Sequence, residues 1–161
     1  MAKMFCSLIR SMDQVIDPGG YVIVKFPFGS YESWDAQGMH NVKQPDGYTI
    51  TSWDSDERSG LIWPKVRGHA LLYATMHWES GNYTECRHQF IRDPLNLSTG
   101  PDTTGTEHRT PGPGMQCFST MWQGIVNPQT PMAYRVAHNA SSPRKLVHAQ
   151  FKMSIDTDLI E

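Results

Sequence analysis

The chain has 161 residues, 19% of them charged, and a formal net charge of −2, so it carries no global attraction toward DNA, RNA or an anionic membrane surface. That length suits one domain, 1–161, with a core that needs no disulfide or metal staples. Mean hydropathy is −0.48 and apolar runs are short, which excludes a helical membrane span; 13 Gly, 11 Pro, five Trp and six Tyr suit aromatic-rich strands joined by many turns.

The opening MAKMFCSLIR lacks a sustained apolar core and a small-residue cleavage site, and no export signal is expected. MFCSLIRS reads as a first strand, Pro18, Gly19 and Gly20 as a turn, and YVIVKFPF as a second strand closed by Pro27 and Gly29. Segment 30–60 reads as a long connection with an acidic run, DSDE, and one compact β-like piece, YTITSW. GLIWP and then HALLYATMHW form the strongest central signal. There Ala70, Leu72, Ala74, Met76 and Trp78 share one face, and Leu71, Tyr73, Thr75 and His77 the other. After ESGN, the alternation in YTECRHQFIR predicts a hairpin partner for that strand. Segment 93–114 is rich in Pro, Gly, Thr and Asp without periodicity, and is expected to be a surface loop.

Alternation resumes in MQCFSTMWQGIV and continues through MAYRVAH and KLVHAQFKMSID, which flank the polar turn NASSPR. The last segment puts Val147, Ala149, Phe151, Met153 and Ile155 on one face and Leu146, His148, Gln150, Lys152 and Ser154 on the other. A strand so placed is expected inside a sheet, because an alternating edge at a chain end invites aggregation. The fold class that follows is all-β, closed or sandwiched. The mixed second face, with Leu146 and His148, suits a subunit contact better than water.

Chemical motifs are sparse. Seven histidines include four on predicted strands, His77, His88, His138 and His148, but no HxH or HExxH pair gathers them, and the expectation is no metal site and no cofactor. Cys86 and His88 share a strand face beside Glu85, yet alternate residues stand about 7 Å apart, and an inert buried thiol is the reading preferred over a nucleophile. No GxSxG, P-loop or dinucleotide fingerprint occurs, so no catalytic residue is assigned. Three cysteines without CxxC spacing read as free thiols of a reducing compartment, and the sequons at Asn82, Asn96 and Asn139 then carry no glycan. Asp54, Asp56 and Glu57 read as a solvated charge run rather than a calcium loop. The rings of Trp34, Trp53, Trp63, Trp78 and Trp122, with Tyr31, Tyr48 and Tyr83, offer flat faces of the kind that stack on sugars; Trp34 and Trp53, in the loop-rich segment, are the candidates for ligand or neighbour contact.

The succession HALLYATMHW, CRHQFIR, MQCFSTMWQGIV and MAYRVAHNASSPRKLVHAQFKMSI, opened by SMDQVIDPGGYVIVKFPFGSYESWD, resembles the head fold shared by complement-component heads and tumour-necrosis-factor-like domains. The resemblance covers about residues 5 to 156 and implies a jelly-roll β-sandwich of about ten strands that forms homotrimers, its closing segments a hairpin whose last strand returns through the trimer centre. The chain departs from animal members in lacking a collagen stalk and a disulfide pattern. It is similar in this to small structural proteins of tailed bacteriophages, and MAKMFCSLIRSMDQVIDPG is similar in style to the start of minor tail proteins of phages of actinobacteria.

The reading is a non-enzymatic virion protein, made in the bacterial cytoplasm, tail-associated and host-facing. Its expected partners are its own copies, other virion proteins and a host-surface glycan, with no nucleic acid. Tyr73, Tyr134, Val136, Leu146 and His148 are the residues expected at the trimer interface. A capsid decoration protein that clamps capsomers is the first alternative, and a cupin-like or lectin-like binder or enzyme the second.

Overall fold

A computed structural model describes residues 3–29 and 32–157. Among these residues are nine strands in two antiparallel sheets. The first sheet holds β1 (Lys3–Arg10), β9 (Arg144–Asp156), β4 (Gly68–Trp78) and β7 (Gln116–Val126) in that order, with β2 (Gln14–Ile16) also pairing β9. The second runs β3 (Val22–Ile23), β8 (Met132–His138), β5 (Cys86–Arg92) and β6 (Asp102–Arg109). The architecture is an all-β sandwich, and β9 lies inside its sheet with partners on both sides, as the alternation of its sequence requires.

Period-2 patterning builds the core. Ala70, Leu72, Ala74, Met76 and Trp78 from β4, and Ala149, Phe151, Met153 and Ile155 from β9, face Met132, Tyr134 and Val136 of β8 and Phe90 of β5 across the sandwich. At its centre the Tyr134 ring stands 4.7 Å from that of Phe90 and 6.3 Å from that of Phe151. Each such ring contributes about 1.5–3 kcal/mol by leaving water.

Several expectations fail, each for a physical reason. The hairpin between 68–78 and 83–92 does not form: β4 pairs β7 and β9, whereas β5 pairs β6 and β8. Both strands have an apolar face, and packing those faces together buries more than laying the strands edge to edge. The same holds for the terminal pair, since β8 and β9 lie in opposite sheets. The polar segment between them is fixed by Asn139, whose side-chain oxygen accepts from the backbone N–H of Thr84 and of Glu85.

Segment 93–114 is not wholly loop. Its residues 102–109 form β6, an edge strand paired along β5 and largely exposed, so no apolar alternation betrays it; the β-branched Thr103, Thr104 and Thr106 were the available signal. YTITSW, conversely, contributes only the bridge Lys43↔Thr49. YVIVKFPF shrinks to β3, because the Gln14 side chain takes over part of the pairing: it donates to the Ile23 carbonyl and accepts from the Lys25 N–H, both at 2.9 Å. GLIWP is separate from β4 and touches β8 through the bridge Ile62↔Met132. Its Leu61 and Trp63 join Ile91 and Ala133 in a second, smaller apolar cluster.

The face assignment in β9 breaks at one point. His77 pairs with His148 but Trp78 pairs with Leu146, so Val147 is a bulge residue and Leu146 turns inward.

Candidate interaction surface

The outer face of the five-stranded sheet is built from the second residue set of β4 and its neighbours. The ladders align four rows: Ser154, Leu71 and Gln123; Lys152, Tyr73 and Met121; Gln150, Thr75 and Ser119; His148, His77 and Cys117. Leu71 is 41% exposed and Met121 66%, while Tyr73, His77 and His148 are half-buried. The hydroxyls of Thr75, Ser119 and Tyr73 bond to one another, and the bonds from Ser119 and then Thr75 hold the Tyr73 phenol below its ordinary pKa. In the fourth row the His77 and His148 rings lie 4.9 Å apart. Burial, and then the neighbouring His148, lowers the pKa of His77. Lys152 is the one charged side chain in these rows.

The structure divides the five residues expected at a trimer centre. Tyr73 and His148 do lie on this outer face. Tyr134, Val136 and Leu146 do not: they are 1%, 0% and 0% exposed within one chain, packed between the sheets. Inward-facing Tyr134 and Val136 alternate with Arg135 on β8, and the bulge at Val147 carries Leu146 to the inside. Met121 and Leu71 are the surface residues that sequence reasoning did not select. Leu71 shares the face of Tyr73 by alternation along β4, whereas the position of Met121 opposite Tyr73 follows from the β4/β7 register, which alternation alone does not supply.

The aromatic platform is not assembled. Trp63 and Trp78 are buried, as is Tyr83, and the Trp63 Nε1–H donates to Gln44. Trp53 is half-buried and lies over the Arg10 guanidinium. Arg58 stacks on Tyr48, whose hydroxyl donates to Asp56. Trp34 keeps 60% of its surface exposed while its backbone pairs with Ser7, covering the free edge of β1. Tyr31 lies outside the described residues.

The other sequence candidates are engaged in structure. His88 is 1% exposed and its Nε2 accepts from Trp78 Nε1–H at 2.9 Å; burial lowers its pKa to about 4. Burial pushes the Cys86 thiol up to about 12, so it is protonated at neutral pH and a poor nucleophile. His138 donates from Nε2 to the Ile16 carbonyl. Asp54 pairs with Arg10, and Asp56 accepts from the Arg58 N–H and the Tyr48 hydroxyl, so these two acids are not simply solvated. Among the described residues no group of three or more His, Cys, Asp or Glu side chains is placed to hold a metal ion.

No protein-family model matches the chain, and no curated protein matches it in sequence. Solved structures do match over nearly the whole chain. Murine APRIL at pH 8.0 aligns with 96% of this chain and 100% of its own, at 7% identity and a TM-score of 0.61. The fold is that of the tumour-necrosis-factor and complement-head jelly rolls. The globular domain of zebrafish complement 1qA aligns with 93% of this chain and 94% of its own at 12% identity and a TM-score of 0.54. Eiger TNF from S. frugiperda covers 98% and 96% at 11% identity and a TM-score of 0.53. At such identities the likeness is one of fold, and within this jelly roll the rows from Leu71 to His148 occupy the outer face of the larger sheet.

Proposed function

We propose that the chain is a non-enzymatic association module that forms a homotrimer through the outer face of its five-stranded sheet. The observation that carries the reading is the exposure of Leu71 and Met121, at 41% and 66%, on adjacent strands beside half-buried Tyr73 and His148, with Lys152 the one charge in four rows. Interface cores are depleted in charge and enriched in aromatic and Met side chains in this way. Threefold assembly is what the resemblance to the complement-head and tumour-necrosis-factor fold implies.

The setting we propose is the surface of a tailed-phage particle, in a tail-associated position. The unpaired, buried Cys6 and Cys86 support assembly in a reducing compartment. Trp34, exposed beside β1, supports a glycan contact on the host-facing side.

The test is native mass spectrometry of the purified chain and of Leu71→Glu/Met121→Glu. A trimer that falls to monomer in the double variant, with far-UV circular dichroism unchanged, bears the proposal out. A wild-type monomer, or a trimer indifferent to both charges, overturns it.

A further inference from the structure

His77 and His148 are 71 positions apart in the sequence, yet the β4/β9 ladder sets them directly opposite each other on the outer face. Their ring centroids are 4.9 Å apart and the rings are inclined at 59°. Two imidazoles bound to one tetrahedral metal at a metal–nitrogen distance of about 2 Å hold their centroids about 5 Å apart. The pair therefore has the separation of a bidentate chelate without rearrangement of the backbone.

The His148 Nε2 lies 3.1 Å from the Gln150 amide nitrogen; since that nitrogen is a donor, Nε2 accepts from it, and a metal ion would take this lone pair by displacing one half-buried side-chain amide. His88 differs in burial: its Nε2 also accepts a hydrogen bond, from Trp78, but the ring is sealed in the core where no ion reaches it.

We propose that His77 and His148 form a two-histidine site for a late first-row divalent metal, Cu²⁺, Ni²⁺ or Zn²⁺, with water completing the coordination. Imidazole ligands select these metals over Mg²⁺ and Ca²⁺, and affinity rises toward Cu²⁺. Both ligands come from one chain, but they lie on the face proposed above for the trimer contact, so binding is measured on wild type and on the Leu71→Glu/Met121→Glu chain, in which that face is expected to be open.

Equilibrium dialysis of the untagged full chain against NiCl₂ and ZnCl₂ at pH 7.5, with His77→Asn, His148→Asn and the exposed-histidine control His108→Asn, tests it. Loss of one of two tethered ligands is expected to weaken binding about 100-fold, the effective-concentration advantage of a chelate. His108→Asn is expected to bind as wild type, and MgCl₂ not to compete. Paramagnetic broadening by Ni²⁺ confined to amides of β4 and β9 gives a readout independent of the variants' stability. Absence of binding by both wild type and the Leu71→Glu/Met121→Glu chain, binding retained in both His77→Asn and His148→Asn, or broadening centred elsewhere overturns the proposal.

Discussion

Arg10 lies beneath Trp53, its guanidinium carbon 4.9 Å from the ring centroid, and is itself only 1% exposed. From there it donates to the carbonyls of Met12, Lys25 and Asp13 and pairs with Asp54 at 2.9 Å. One side chain at the end of β1 thus ties together three stretches of irregular chain. Arg10→Met removes the donors while leaving the carbonyls in place, and is expected to cost about 3 kcal/mol, as loss of one partner from a buried charged network does. Urea denaturation checks the size of the loss, and a red shift in Trp53 emission checks its place.

Core and surface positions on the same strands should respond differently to charge. Tyr134→Asp and Leu146→Asp place a carboxylate among the rings of Phe90, Phe151 and Trp78, and each is expected to cost about 3–5 kcal/mol or prevent folding. The expected result is loss of the β-type circular dichroism spectrum. A folded monomer from either variant would contradict the inward placement of that residue.

Acid should destabilise the fold in a defined window. Burial lowers the pKa of both His40 and His88 from 6.5 to about 4, so the unfolded chain binds protons that the folded chain refuses. Their contribution is complete above pH 6.5 and is lost as the pH falls toward about 4, by about 3 kcal/mol for each ring. His88→Gln keeps an acceptor for Trp78 and removes the titration. Its urea midpoint is expected to vary less between pH 7 and pH 4.5 than that of the wild type.

The thiols should separate by reactivity. Burial pushes the pKa of Cys6 and Cys86 upward, whereas Cys117 is exposed on β7. Iodoacetamide at pH 7.5 is expected to modify Cys117 alone in the native protein and all three after unfolding, as read by peptide mass spectrometry. Modification of Cys86 in the folded state would revive its candidacy as a nucleophile.

The sequence by itself determined the all-β class, the inward face of β4 and most of that of β9, and the interior position of the last strand. Period-2 patterning is local: each residue's face follows from its parity along one strand. Trp78 and Phe151 were legible for that reason. Three things were decided only by tertiary structure. Strand partners were one, because β4 and β5 are neighbours in sequence but lie in opposite sheets, where their apolar faces meet. The exposed edge strand β6 was another, since a strand with no side chains in the core leaves no apolar alternation to read. The third was the content of the candidate surface. The bulge at Val147 reverses parity and removes Leu146 from it, and the register of β4 against β7 and β9 brings Met121 beside Tyr73 and His148 beside His77. Register depends on contacts between strands, and no pattern within a single strand encodes it.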